Sequence, residues 1–157
     1  MDTDSLLALL KSVANGRLPV KDAAAKLRHI GYEDIEYAHV DHHRSLRKGF
    51  PEVIFGQGKN ADQIIGIMDK MMDQENVILI TRLEEDKAGA VIERFPKAVY
   101  HPDARMLVWQ LEKPRIIGRG TICIISAGTS DIPVAKEAYL TAKAMGNRVK
   151  TIFDVGV

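Results

Sequence analysis

The chain has 157 residues, of which 46% are hydrophobic and 27% are charged. These fractions are close to globular averages and argue against a disordered, collagen-like or coiled-coil chain. The 22 basic residues nearly balance the 21 acidic ones, which leaves no broad basic field to attract nucleic acid or an anionic membrane. We therefore expect a folded protein with neither nucleic acid nor membrane as a partner.

The single cysteine, Cys123, excludes an intramolecular disulfide. It lies within the apolar run Thr121–Ile125, so we expect a buried thiol that packs as a small hydrophobic group. No apolar stretch approaches the ~20 residues that a membrane-spanning helix needs. A cytoplasmic location is expected.

The first segment has the pattern of two short helices. Apolar residues between Leu6 and Val13 recur at helical spacing, and Asn15-Gly16 is a typical helix end. A second helix is predicted to begin near Pro19 and to end before Gly31. Residues 1–32 are therefore predicted to form a helical hairpin.

Residues 33–114 show short strands that alternate with amphipathic helices, which predicts a small α/β domain. A turn is expected at His101-Pro102-Asp103. Helices are expected from Asn60 or Ala61 to Met72 and over Glu84–Glu93. Strands are expected over Ile35–Val40, Glu52–Phe55, Val77–Thr81, Ala98–His101 and Leu107–Leu111.

After a polar, glycine-bearing connector, residues 115–157 have a β-α-β pattern. Thr121–Ile125 is continuously apolar and β-branched, as a strand buried on both faces requires. Arg148–Phe153 is predicted to be the second strand. The residues expected on the apolar face of the intervening helix are Val134, Ala135, Ala138, Ala142 and Met145. The fold class is therefore α/β, with the hairpin and small domain followed by the first unit of a doubly wound parallel sheet.

The loop between the first strand and the helix is the principal candidate site. It lies at the carboxyl end of a strand, where open α/β sheets bind ligands, and at a helix amino terminus, which favours a phosphate. Hydroxyl and carboxylate side chains surround a glycine there. An alternative is that Ser130 or Asp131 only caps the helix and Gly128 only makes a turn. The candidate phosphate- and ribose-binding residues are Ser126, Ala127, Gly128, Thr129, Ser130 and Asp131.

Two separated segments resemble one known family. Residues 126–135, followed by Asp154-Val155-Gly156-Val157, resemble LarB proteins, which carry a domain similar to PurE, the aminoimidazole ribonucleotide (AIR) carboxylase. The family's amino-terminal signature is matched upstream by residues 49–56 together with Asp41, Arg44, Arg47, Gly58 and Lys59. The resemblance covers the chain from about residue 30 onward, with the two motifs in the family's order.

The resemblance implies an enzyme of nickel-pincer cofactor biosynthesis. Such an enzyme uses carbon dioxide or bicarbonate to carboxylate the pyridinium ring of nicotinic acid adenine dinucleotide and hydrolyses the phosphoanhydride. The products are AMP and pyridinium-3,5-biscarboxylic acid mononucleotide. It further implies that Ser130 and the amides around Gly128 hold a ribose phosphate, with Asp131 near the ribose. A homo-oligomer is implied, with no tightly bound cofactor, and a role for Mg²⁺ is left open.

The family's catalytic residues are expected beyond Val157, namely a His-Arg pair and a nucleophilic cysteine. We therefore expect the 157-residue chain to stop within the PurE-like domain and to be inactive on its own. Cys123 is not expected to replace the nucleophile, because a buried thiol in an apolar strand has a raised pKa.

Four other charged residues are candidates for ligand or interface contacts: Arg44, Arg47, Lys59 and Asp154. Arginine presents paired donors to phosphates and carboxylates. The basic stretch is nevertheless better explained as a solvated charged turn that pairs with Asp41 or Glu52. No metal site is predicted, because the spacing of His39, His42, His43 and His101 with Asp41 matches no metal-binding motif.

A function of a different class is also open, a non-catalytic nucleotide-binding or oligomer-assembly module. In that case residues 33–111 make mainly protein contacts. Charge changes at Arg44 and Arg47 would then alter assembly and leave ligand affinity unchanged.

Overall fold

The computed structural model describes residues 3–28, 32–34, 39–41, 53–72 and 76–156. The chain divides into two compact units, one formed by Met1–Glu52 with Ile67–Glu75 and the other by Val53–Gly66 with Asn76–Val157. The domain boundaries drawn from the sequence, 1–32, 33–114 and 115–157, stay a prediction. The fold class is mixed α/β, as expected.

The first unit begins with two helices that contact each other, α1 (Thr3–Ala14) and α2 (Val20–Arg28). The helix end predicted at Asn15-Gly16 is confirmed. Gly16 has a φ of 69°, which L side chains rarely adopt, and its amide donates to the carbonyl of Val13. Strands β1 (Tyr32–Asp34) and β2 (His39–Asp41) then pair in antiparallel register. Residues 35–38 of the predicted strand Ile35–Val40 lie outside the described part of the chain.

The second unit contains a four-stranded sheet in the order β3-β4-β6-β5. Strands β3 and β4 are parallel, and the remaining neighbours are antiparallel. Helix α3 begins where predicted, because the side chains of Asn60 and Gln63 each accept the other residue's backbone amide. The elements are β3 (Val53–Phe55), α3 (Ala61–Met72), β4 (Val77–Thr81), α4 (Glu85–Arg94), β5 (Val99–His101) and β6 (Met106–Gln110).

The turn predicted at His101-Pro102-Asp103 is a 3-10 helix over Pro102–Ala104. It leads to Arg105, whose φ of 48° is left-handed. The Arg105 carbonyl accepts the amide of Leu83 at 2.8 Å, and the Tyr100 hydroxyl donates to the Leu83 carbonyl at 2.9 Å. These bonds join the β5–β6 connection to the chain that leaves β4.

The predicted β-α-β unit is present. Strand β7 (Thr121–Ile125) is followed by α5 (Ile132–Ala144) and by β8 (Arg148–Ile152), which pairs with β7 in parallel register. Helix α5 ends at Ala144, and Gly146 follows with a φ of 73°. The crossover sets the carboxyl ends of both strands side by side.

The buried face of α5 differs from the predicted one. Leu140 and Ala144 pack against the core cluster of Leu79, Ala104 and Met106 in the four-stranded sheet. Ala135 is buried as expected, but Val134 and Ala138 are exposed. Ala142 and Met145 are half-buried, so the predicted face was wrong at Val134 and Ala138. The reason is that the helix also covers β4 and the Pro102–Ala104 turn.

The predicted burial of β7 on both faces is also wrong. Ile125 is 62% exposed and Cys123 is exposed as well. The physical reason is that β7 pairs only with β8 and α5 covers one face of the pair, so the opposite face stays open in the described chain. The expected buried environment of the Cys123 thiol is therefore absent.

Among the residues described, no helix is long and apolar enough to cross a membrane.

Replacing Leu79 with alanine tests the shared core. Leu79 is fully buried and contacts side chains from both the sheet and α5, so Leu79→Ala should lower the free energy of unfolding by about 2–5 kcal/mol. Chemical denaturation measures this. Leu111→Ala is the control, since Leu111 is 54% exposed, and it should change the stability by less than about 0.5 kcal/mol. A loss below about 1 kcal/mol at Leu79 would contradict the shared core.

Candidate phosphate-binding site

The candidate loop, residues 126–131, connects the carboxyl end of β7 to the amino terminus of α5. Its first residue is held by a hydrogen bond from the Ser126 amide to the Ile152 carbonyl at 3.1 Å. Its last residues, Thr129–Asp131, form a 3-10 turn that continues directly into the helix. The loop is thus fixed at both ends, at the sheet edge where α/β proteins bind ligands.

Asp131 is a cap in this structure. Its Oδ2 accepts the Gly128 amide at 3.1 Å, and its own amide donates to the Gly128 carbonyl at 3.1 Å. The carboxylate thus closes the 3-10 turn as part of a capping box and makes no capping bond to the first amides of α5. It occupies one of the amides expected to bind phosphate. The amides of Thr129 and Ser130 begin the helical turn, where no intrahelical acceptor exists, and their side chains are exposed. These two residues offer amide and hydroxyl donors to an anion.

The Ser126 hydroxyl is buried without a hydrogen-bond partner. Ser126 is 6% exposed, and its Oγ has neither donor nor acceptor within reach. Leaving a buried hydroxyl unsatisfied costs about 1–3 kcal/mol, and such groups in native structures often belong to ligand sites. A polar ligand atom that reached the base of the loop would satisfy it.

A second segment lies against the loop from the end of β8. The Gly156 amide donates to the Ala127 carbonyl at 2.7 Å, and the Val155 amide donates to the Ser126 carbonyl at 3.3 Å. Asp154 precedes them with a left-handed φ of 59°. The structure therefore brings Asp154 next to the loop, as a ligand or interface role requires. Gly156 was not among the predicted site residues, although a glycine after a strand is a signal for a close backbone approach.

Lys59 lies on a different sheet from the loop. Lys59 follows β3 in the four-stranded sheet, whereas the loop follows β7 in the two-stranded sheet. Arg44 and Arg47 lie outside the described residues, as do His42 and His43. In the described part of the chain, no three His, Cys, Asp or Glu side chains are grouped to hold a metal ion.

The structure also contains a cavity of about 620 Å³ that the sequence did not indicate. It lies between the Pro102–Ala104 turn, α5 and β8, and none of its lining residues belongs to the loop. The polar residues that line it are far apart in sequence, so no local motif marks them. They are His101, Asp103, Cys123, Lys136, Tyr139, Lys143, Lys150 and Thr151.

Ser126→Ala tests whether the buried Ser126 hydroxyl destabilises the fold. Because the hydroxyl is unsatisfied in the folded chain, its removal should leave the free energy of unfolding unchanged or raise it by up to about 1 kcal/mol. Thermal and chemical denaturation without ligand measure this. Ser12→Ala is the control, since the Ser12 hydroxyl donates to the Ala8 carbonyl on an exposed helix. A loss of more than about 1 kcal/mol would show that Ser126 has a partner within the protein.

Gly156→Ala should release the second segment from the loop. A Cβ at this position would lie 2.5 Å from the Ala127 carbonyl oxygen, so the backbone must move and the 2.7 Å hydrogen bond must break. Hydrogen exchange of the amide at position 156 should become about tenfold faster, the equivalent of ~1.4 kcal/mol. Gly120→Ala is the matched control, because a Cβ there meets nothing within 4 Å. Unchanged exchange in Gly156→Ala would disprove the close contact.

Comparison with known proteins supports the upstream motif. Residues 32–112 match the family model of the LarB/PurE-like N-terminal domain. An uncharacterized protein of Methanocaldococcus jannaschii is 32% identical over 159 residues, an alignment that covers 98% of this chain. The chain spans 62% of the length of that relative. The family match extends over more than half of the chain and includes the predicted signature around Gly56 and Lys59. The chain therefore belongs to the family that carries the LarB/PurE-like N-terminal domain.

Proposed function

We propose that this chain binds the ribose phosphate of a pyridinium dinucleotide at residues 126–131, as part of an enzyme of nickel-pincer cofactor biosynthesis. The reaction is carboxylation of the pyridinium ring of nicotinic acid adenine dinucleotide by carbon dioxide or bicarbonate, with hydrolysis of the phosphoanhydride. It yields pyridinium-3,5-biscarboxylic acid mononucleotide and AMP. The family match supports the carboxylase class, and the resemblance of residues 126–135 to LarB supports the substrate.

The observation that carries the proposal is the unsatisfied Ser126 hydroxyl at the base of a loop that ends at a helix amino terminus. A helix amino terminus attracts anions through its free amides and its dipole. The buried Ser126 hydroxyl adds a further donor. The cost of removing it from water is already part of the free energy of folding, so the ligand does not add to it. Thr129 and Ser130 supply further donors on the exposed side of the turn.

Binding of phosphate requires a change at Asp131. In the ligand-free chain its carboxylate accepts the Gly128 amide, and a phosphate at the same amide would be repelled by that carboxylate. We propose that the phosphate takes over the Gly128 amide and that the Asp131 carboxylate turns to the ribose hydroxyls. The same side chain then closes the 3-10 turn before binding and orients the sugar afterwards. Asp154, held beside the loop by its neighbours Val155 and Gly156, is a further contact for the ribose.

Calorimetric titration of nicotinic acid adenine dinucleotide, and separately of AMP and ribose 5-phosphate, tests the site. The double variant Ser130→Ala/Asp131→Ala should bind the dinucleotide at least about tenfold more weakly, since each side chain is assigned a hydrogen bond to the ligand. Ser12→Ala, on α1, controls for loss of a serine hydroxyl and should bind like the original chain. Equal affinity of the double variant and the control would refute binding at this loop.

Turnover is followed as AMP release, in this chain and in the protein translated from its full reading frame. AMP release that depends on bicarbonate would support the enzyme. Dinucleotide binding without AMP release in either protein would instead support the alternative, a non-catalytic nucleotide-binding or assembly module.

One observation favours the alternative function, a non-catalytic assembly module. The apolar strand residues Ile125 and Ile152 are paired in register, and they are 62% and 47% exposed. A homo-oligomer is part of the enzyme proposal as well, so the alternative is distinguished only by the absence of catalysis. We place the reaction in the cytoplasm, where a single free cysteine stays reduced.

A further inference from the structure

The cavity between the Pro102–Ala104 turn, α5 and β8 has the size of a small-molecule site. Its volume of about 620 Å³ lies within the ~300–1,000 Å³ range of such sites, which are mostly apolar with a few convergent polar groups. Lys136 on α5 is paired with Asp103 on the turn, and this ion pair joins two walls of the cavity. The cavity is therefore formed by tertiary contacts between separate elements.

The charge of the lining is unbalanced. Three lysines line the cavity, namely Lys136, Lys143 and Lys150, whereas Asp103 is the only acidic residue among the lining residues. Because Asp103 is paired with Lys136, no lining carboxylate remains to offset Lys143 and Lys150. The cavity therefore favours a ligand that carries negative charge.

The apolar part of the lining indicates the rest of the ligand. Tyr139 and Phe153 contribute aromatic rings, and Leu140, Val149 and Ile152 contribute aliphatic surface. The Lys143 ammonium lies 5.2 Å from the centroid of the Tyr139 ring, so positive charge and an aromatic surface are adjacent. A flat apolar body with one anionic substituent matches this combination.

His101 adds a neutral hydrogen-bonding group. Burial and, secondarily, the nearby Lys143 ammonium lower the pKa of His101 below its usual value, so its imidazole is uncharged at neutral pH. A second cavity of about 410 Å³ also includes His101, Leu140 and Lys143 in its lining, together with Lys97 and Lys113. Lys143 thus lies between two concave surfaces that both lack an unpaired carboxylate.

We propose that the larger cavity binds a small organic anion, an aromatic or other flat apolar body that bears a carboxylate or a phosphate. The anionic group lies between Lys143 and Lys150, and the apolar body lies against Tyr139 and Phe153. This site shares no residue with the loop at 126–131, and it does not depend on the function proposed for that loop.

Cys123 provides a direct readout, since it lines the cavity, is exposed and is the one cysteine of the 157-residue chain. Alkylation by iodoacetamide, an uncharged reagent, is timed by mass spectrometry with and without ligand at constant ionic strength. The probes are phenyl phosphate and benzoate, with benzyl alcohol as the neutral analogue. We expect at least one anion to slow alkylation severalfold and benzyl alcohol to have little effect. The more effective anion identifies phosphate or carboxylate as the preferred group.

The double variant Lys143→Gln/Lys150→Gln should require about tenfold more anion for half-protection, because it removes both charges assigned to the anion. Protection is expressed as a ratio within each variant, since lysine removal also changes the intrinsic reactivity of the thiol. Lys21→Gln is the matched control on α2, where Lys21 is exposed, and it should be protected like the original chain.

Three results would overturn the proposal: no slowing by either anion, equal slowing by benzyl alcohol, or undiminished protection of the double variant. A fourth comparison separates this site from the loop. If protection disappears in Ser130→Ala/Asp131→Ala, the anion acts at the loop, so the cavity proposal fails while the loop assignment stands. If protection persists there, the cavity is an independent site.

Discussion

The packing of Leu140 and Ala144 against Leu79, Ala104 and Met106 is the interaction on which the rest of the second unit depends. A parallel pair such as β7–β8 cannot enclose a core by itself, because one helix covers only one of its faces. Helix α5 therefore buries Leu140 and Ala144 against the four-stranded sheet. Since α5 begins at the candidate loop, this packing also positions the amides that face an anion. The larger cavity exists for the same reason, as the space left between α5, β8 and the turn that it contacts.

The sequence predicted the features that depend on local chemistry. The helix end at Gly16, the start of α3 after Asn60 and the strands β4 and β7 follow from capping residues and apolar runs. The exposure of Cys123 and the inner face of α5 could not be predicted, because both depend on which surfaces the helix covers. The cavity could not be predicted for the same reason. Its polar lining comes from separate elements, whose meeting is decided only by tertiary packing.

The position of the candidate site could be predicted from the sequence, but its hydrogen bonds could not. A strand, a loop with glycine and hydroxyls, and a helix place residues 126–131 at the edge of a sheet. The sequence does not show that Asp131 already occupies the Gly128 amide or that the Ser126 hydroxyl is left without a partner. These two facts have opposite effects on binding. The occupied amide must be released before an anion can use it, whereas the unsatisfied hydroxyl gains a partner when the anion arrives.

The parallel pairing of β7 and β8 has a consequence for folding kinetics. Strands β5 and β6 are joined by a short turn and can pair early, whereas β7 can pair with β8 only after the intervening residues 126–147 have closed a crossover. Helix α5 can pack only after the four-stranded sheet has formed, since its apolar residues pack on the cluster that contains Leu79 and Met106. The loop at 126–131 is therefore among the last parts to become ordered. The apolar strand residues Ile125 and Ile152 are exposed in the folded structure as well, so they are available for intermolecular contacts both before and after this step.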